Sequence, residues 1–227
     1  MGLLIHTKNE IKIIGDKSLY KRDFYRITKP LNKFGAKFKN NSGKLPIIIK
    51  GTDFPKSIKY VESKGSAQIK SSIMLAALNT NGKTIIKAKK SRNHSELIFK
   101  HLKLPIKIKK TKNFDIIEIE GKKTIKPLNY NIPSDISSSA FFIVLTALSK
   151  NSKLKIKNIN INPTRIGVLK ILIMMGVKIK ILNKKIYKGE KIADILVIST
   201  KSIKPINCPP NLNTAAIDEF LLIFLVA

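Results

Sequence analysis

Three stretches of the chain place apolar residues at helical spacing, break on Gly or Pro, and resume as alternating strands. They run over 27–38, 97–108 and 169–179, with the breaks at Gly35, Pro105 and Gly176, so the pattern recurs after 70 and then 71 residues. A terminator of this kind ahead of period-two alternation predicts a helix followed by a strand. A second and more apolar helical pattern interleaves with the first. It covers 66–78 ahead of a strand over 83–87, and 137–148 ahead of a strand over 153–157, and laying Leu78 on Leu148 again gives 70. A third pattern of this type opens at Asp218 and runs to Ala227. Ser or Asp at such starts is N-cap chemistry. Each period reads as strand-helix-strand-helix-strand-strand, so the fold class expected is α/β, built of pseudo-symmetric βαβαββ repeats. An apolar helix that reaches the last residue has no C-cap for its carbonyls, and the chain is read as incomplete.

With 227 residues, 43% of them hydrophobic, the chain can fill one large core or two ordinary ones, which argues against disorder. A single cysteine, Cys208, excludes a disulfide scaffold and a multi-cysteine zinc site. His6, His94 and His101 lack metal-ligand spacing, so no metal is expected. Polar residues follow directly on the first five, which argues against a secretory leader. The longest apolar stretch, 220–227, is short of the ~20 residues of a membrane span. A cytoplasmic protein without membrane partners is therefore expected.

The charge changes the picture less than its size suggests. Lys plus Arg is 44 against 14 acids, a formal +30, which on its face points to nucleic acid. Only Arg22, Arg26, Arg92 and Arg165 are arginines; the lysines are scattered among Ile and Asn in no single tract. Lys, Ile and Asn rising together is the imprint of an AT-rich genome, and no nucleic-acid-binding signature accompanies it. A retained Arg, by contrast, marks a place that needs a planar fork for carboxylate or phosphate.

Six motifs carry the remaining information: GDKSLYKR at 15–22, GSAQ at 65–68, RNHSE at 92–96, PSDISSSA at 133–140, NPTRIG at 162–167 and AIDEF at 216–220. In this order they resemble 5-enolpyruvylshikimate-3-phosphate synthase in its glyphosate-tolerant, class II bacterial form, which reads GDxSLxxRP, ASAQVKSA, TRDHTE, VPGDPSSTAF, NPTRTG and MIDEYP. The resemblance spans nearly the whole chain and implies the enolpyruvyl transferase inside-out α/β barrel, two domains of three βαβαββ units each. Lys17, Ser18 and Arg22 imitate the family's N-terminal KSxxxR motif, but Gly15-Asp16 and the short distance to Ser66 fit the later GDxSLxxR element. On that assignment the family's N-terminal segment, its catalytic Glu loop and its C-terminal basic residues lie outside this chain, which then corresponds to the middle of the enzyme. No turnover is expected from residues 1–227 alone.

The resemblance implies roles residue by residue. Arg22 would bind the phosphoenolpyruvate carboxylate, although it could equally be one more solvated cation; Asp23 stands where the family has Pro. Ser66, Ala67 and Gln68 would line the shikimate 3-phosphate site at a helix start, with Gln68 also near phosphoenolpyruvate; ordinary Ser capping is the plain alternative. Arg92 would contact shikimate 3-phosphate, while His94 reads as a helix-start residue. Asp218 would bind that substrate and act as general base on its 5-hydroxyl, or cap its helix, or both. Glu219 reads as structural, and Arg165 as ordering the domain junction.

The implied reaction transfers the enolpyruvyl group of phosphoenolpyruvate to the 5-hydroxyl of shikimate 3-phosphate, releasing phosphate, with no metal or organic cofactor. The partners are these two small anions, with no nucleic acid, and the whole protein is expected to be a monomer. Residues 1–131 would belong to the N-terminal lobe and 132–227 to the C-terminal lobe, with the crossover near 131–135. Two alternatives stay open: the sister transferase acting on UDP-N-acetylglucosamine, whose Cys loop is not visible here, and a non-catalytic basic repeat protein that binds nucleic acid.

Overall fold

The computed structural model describes residues 1–121 and 125–227, with residue 41 described by its backbone alone. The chain divides into two compact units, Met1–Lys126 and Pro127–Ala227, a few residues ahead of the crossover expected near 131–135. The first unit opens with a 3-10 helix, Gly2–His6. Then come β1 (Ile11–Ile13), α1 (Lys17–Tyr20), α2 (Tyr25–Asn32), β2 (Lys37–Asn41), β3 (Lys44–Lys50) and β4 (Lys59–Glu62). It continues through α3 (Ala67–Ala77), β5 (Lys83–Lys89), α4 (His94–His101), β6 (Ile106–Lys110) and β7 (Phe114–Glu120). The second unit holds α5 (Ile136–Leu148), β8 (Lys153–Asn160), α6 (Gly167–Met174), β9 (Lys178–Tyr187), β10 (Glu190–Ile198), a 3-10 helix at Pro210–Ala215, and α7 (Phe220–Val226).

The period read from the sequence is a period of topology. The three sheets are ordered β1-β3-β2, β4-β5-β7-β6 and β8-β10-β9, so the last strand of each lies between the two strands that precede it in the chain, antiparallel to both. Residues 59–120 form one complete βαβαββ unit, in which β4 runs parallel to β5 across the α3 connection. The next repeat keeps only a trace of that first strand. Ser134 forms a parallel bridge to Ile159, donating its N–H to the Asn158 carbonyl and accepting from the Asn160 N–H. The four-stranded sheet is mixed and the two three-stranded sheets are antiparallel, and the described residues close no barrel.

The turns explain the terminators. Gly35 and Gly176 have φ of +104° and +96°, the left-handed cap that ends α2 and α6. In the middle repeat the left-handed residue is Lys103, φ +54°, two positions before Pro105. Each unit has its own core. In the first, Ile69, Ile73, Met74 and Ala77 of α3 pack with Ile86, Ile117 and Ile119 of the sheet and with Leu31, Phe34 and Phe99. In the second, Ile136, Ala140, Ile143, Val144 and Ala147 of α5 pack with Ile159, Ile195, Val197 and with α6. Asp194 pins an irregular place in the second sheet: Oδ1 accepts from the Asn158 N–H at 3.0 Å and Oδ2 from Asn183 Nδ2 at 2.8 Å. Asn158 and Asn183 both have φ of +52°, and the pairing register of β10 shifts on both sides there.

Two helix starts depart from expectation. Helix α5 begins at Ile136, capped by Asp135, ahead of the start expected at 137. The last helix begins at Phe220 rather than at Asp218, which lies in a turn, and the cap position belongs to Glu219, whose side chain makes no capping bond. Three exposed residues on α5, Phe141, Phe142 and Leu145, and three on α7, Leu221, Phe224 and Leu225, keep 60% to 83% of their surface in water.

Candidate functional site

Site-like chemistry in the first unit gathers where β4 passes into α3. Glu62, the last residue of β4, is buried, and its carboxylate accepts the N–H groups of Lys64 and Gly65, both at 2.9 Å. That fixes the turn, in which Gly65 adopts φ +70°. Ser66 then caps α3, its Oγ accepting the Ile69 N–H at 3.3 Å. Ala67 and Gln68 follow as the first helical residues, whose N–H groups have no carbonyl four residues back within the helix to accept them. Gln68 is exposed, and its Oε1 accepts a 2.7 Å bond from the Arg26 guanidinium, which turns the Gln68 amide NH₂ outward. Beside this start lies a cleft of about 240 Å³ lined by the cations Arg26, Lys29 and Lys64 and by the carboxylates of Asp23 and Glu62, the latter engaged by the Lys64 and Gly65 N–H groups. Backbone donors, the positive end of an eleven-residue helix and nearby cations form a cradle for an oxyanion.

Arg92 comes to the same helix by another route. It lies half-buried in the loop ahead of α4, and its carbonyl accepts from Lys70 Nζ at 2.8 Å, one turn along α3 from Ser66. The structure thus ties the Arg92 loop to the helix that carries Ser66, Ala67 and Gln68. Arg22 lies in the bend after α1, exposed and without an ion pair among the described residues. Asp23, in the place of the family's Pro, organises the next turn: its carboxylate accepts the Tyr25 N–H at 2.7 Å at the start of α2. His94 is the first residue of α4.

Asp218 belongs to the second unit, exposed in the turn before α7. Its neighbour Glu219 is buried and accepts a hydrogen bond from Ser137 Oγ. Ser137 in turn accepts from the Arg165 guanidinium at 2.6 Å, which also meets Asp135 Oδ1 at 2.8 Å. Asp135 caps α5, accepting the Ser138 N–H at 2.9 Å. Burial pushes the Asp135 carboxyl up, but the Ser138 N–H and the Arg165 charge outweigh it and hold the pKa below the ordinary value. Arg165 therefore serves this network of the second unit. Among the described residues no three His, Cys, Asp or Glu side chains converge as metal ligands. No described helix is long and apolar enough to cross a membrane.

Reading the sequence alone missed Glu62, Lys70 and Glu96, and marked Arg26 only as one of four retained arginines, with no place in a site. The signal for Lys70 was present, since it is a lysine on the apolar stripe of Ile73, Met74 and Ala77.

The fold defines the class first. The chain superposes on the enolpyruvyl transferase NikO from Streptomyces tendae with a TM-score of 0.58 over 88% of this chain and 46% of that one, a likeness of fold at 11% identity. The family follows from closer matches. The model of the EPSP synthase (3-phosphoshikimate 1-carboxyvinyltransferase) family matches residues 1–227, and the chain belongs to that family. It is 39% identical over its full length to 3-phosphoshikimate 1-carboxyvinyltransferase of Legionella pneumophila (strain Corby), covering 51% of that protein. The corresponding figures for the same-named protein of Ruthia magnifica subsp. Calyptogena magnifica are 38% identity and 51% coverage. EPSP synthase from Acinetobacter baumannii superposes with a TM-score of 0.85 at 36% identity, over all of this chain and 51% of that structure. The chain spans about half the length of the relatives it matches.

Proposed function

We propose that this chain carries the shikimate 3-phosphate-binding part of an enzyme that transfers the enolpyruvyl group of phosphoenolpyruvate to the 5-hydroxyl of shikimate 3-phosphate, releasing phosphate. The observation that carries this reading is the start of α3. A Ser-capped helix N-terminus, an outward-turned Gln68 amide and the tethered Arg92 loop occur together in one unit of a chain of this family. Ser66, Ala67 and Gln68 hold the substrate phosphate through helix-start N–H groups and the Ser hydroxyl, and Arg92 adds a guanidinium fork. Arg22 takes the phosphoenolpyruvate carboxylate, near Gln68. Asp218 binds shikimate 3-phosphate and removes the proton of its 5-hydroxyl as that oxygen adds to phosphoenolpyruvate; loss of phosphate from the tetrahedral adduct completes the transfer. The partners are these two anions, and neither a cofactor nor nucleic acid has a part. The protein works in the cytoplasm as a monomer, with residues 1–131 in the N-terminal, substrate-binding lobe and 132–227 in the C-terminal lobe.

Titration of shikimate 3-phosphate into the 227-residue chain, followed by calorimetry, tests the binding half of this reading. Saturable binding that Arg92→Met weakens about tenfold or more is expected, the scale of one lost charge-assisted contact. Absence of binding, or binding indifferent to Arg92→Met, would overturn it.

A further inference from the structure

Lys70 is one of the largest fully buried side chains in the molecule, with 1% of its side chain exposed. In a chain with so many lysines at its surface, one in the core demands a reason. Its neighbours along the stripe, Ile73, Met74 and Ala77, are apolar, so a Met or Leu would suit the packing at position 70. Burying an ammonium and a carboxylate together gains little over an apolar pair of similar volume. Core stability alone therefore gives no reason for a lysine at this position.

What Lys70 supplies is a set of donors. Its Nζ reaches Glu96 Oε1 at 2.6 Å and the main-chain oxygen of Arg92 at 2.8 Å. Glu96, on the first turn of α4, is 5% exposed, and its Oε2 has no hydrogen-bond partner among the described residues. The carboxylate offsets the charge of the buried ammonium. The cation then holds the Arg92 carbonyl. Next to the pair, Ser71 Oγ (after Lys70) and Ser95 Oγ (before Glu96) meet at 2.6 Å. The loop that carries Arg92 is thus bolted to α3 within two turns of Ser66.

We infer that Lys70 and Glu96 are positioning residues for the oxyanion cradle: a neutral, buried clamp that sets the Arg92 backbone against the start of α3. The inference rests on the reading of that cradle as a substrate phosphate site. Preorganisation of this kind raises affinity by removing the cost of ordering the loop on binding.

The double substitution Lys70→Met with Glu96→Leu in the 227-residue chain separates positioning from packing. The swapped core is expected to melt within a few degrees of the parent. Shikimate 3-phosphate should bind about tenfold more weakly, and Arg92→Met should cost far less in the swapped chain than in the parent, since the two changes act through one group. In ligand-free protein, amide hydrogen exchange of Asn93, His94 and Ser95 should speed about tenfold while β5 and β7 stay protected. A folded swap with unchanged exchange and unchanged affinity would overturn the clamp. If the parent itself binds no shikimate 3-phosphate, the functional reading fails and the exchange rates alone decide the clamp. Should the double swap not fold, Glu96→Gln keeps the shape and removes the charge. The same faster exchange is expected of it, and unchanged exchange in that folded variant would overturn the clamp.

Discussion

The starts of α3 and α5 occupy the same place in successive repeats, yet they handle negative charge in opposite ways. At α3 the cap is Ser66, a neutral hydroxyl, and the adjoining cleft carries three cations, Arg26, Lys29 and Lys64, beside the carboxylates of Asp23 and Glu62. At α5 the cap is Asp135, whose carboxylate receives both the Ser138 N–H and the Arg165 guanidinium. The arginines correspond as well, Arg92 two residues ahead of α4 and Arg165 two residues ahead of α6. At α5 the cap is itself the anion; at α3 the cap is neutral, and the Glu62 carboxylate is engaged by the Lys64 and Gly65 N–H groups of the turn ahead of the helix. The same repeat thus yields a structural node in one unit and a candidate binding site in the other, and the capping residue makes the difference.

Substitutions that disturb this contrast should rank as follows. Lys70→Met alone strands the Glu96 carboxylate in the core and is expected to destabilise the first unit by about 3–5 kcal/mol, read by urea unfolding. Ser66→Asp transplants the α5 solution into α3. Affinity for shikimate 3-phosphate should fall about a hundredfold while stability changes by less than about 1 kcal/mol, because an acidic cap suits a helix start as well as Ser does. Asp135→Ala removes a cap and a half-exposed ion pair together, and should cost the second unit about 1–2 kcal/mol by the same unfolding measurement.

The smallest effect concerns acid. The Asn158 N–H, Asn183 and Lys155 hold Asp194 at a pKa of about 2. A carboxyl lowered on folding stabilises the protein above its unfolded pKa of about 3.9, and that contribution fades as pH drops toward 2. Melting temperatures should therefore fall across that window, and Asp194→Asn should lessen the fall while leaving a lower plateau at neutral pH.

The repeat was legible because its punctuation is local. Gly35 and Gly176 end helices for backbone reasons that need no partner, and Ser66 caps α3 where the sequence places it, whereas α5 begins at Ile136, capped by Asp135, ahead of the start expected at Ser137. The bulge at Asp194 was not legible, because a left-handed Asn158 or Asn183 leaves no mark on a strand's alternation. The start of α7 was misplaced by two residues, since Asp218 has the chemistry of a cap while the turn gives that position to Glu219. Sequence reasoning also weighed the wrong charges. In a chain of 44 cations, the carboxylates are the informative charges, and five of the 14 acids are buried: Glu62, Glu96, Glu190, Asp194 and Glu219. Burial of a carboxylate is tolerated where donors are waiting for it. The ties of Glu62 to the α3 turn are local, whereas that of Glu96 to Lys70 joins residues that only the fold brings together.

A titration of the ¹⁵N-labelled chain with shikimate 3-phosphate, followed amide by amide, tests the contrast between the two helix starts most directly. Saturable shifts at Ala67, Gln68 and Ile69, with Ile136, Ser137 and Ser138 unmoved, are the expected result. Equal shifts at both helix starts, or weak shifts scattered over the lysine-rich surface with none at α3, would contradict it.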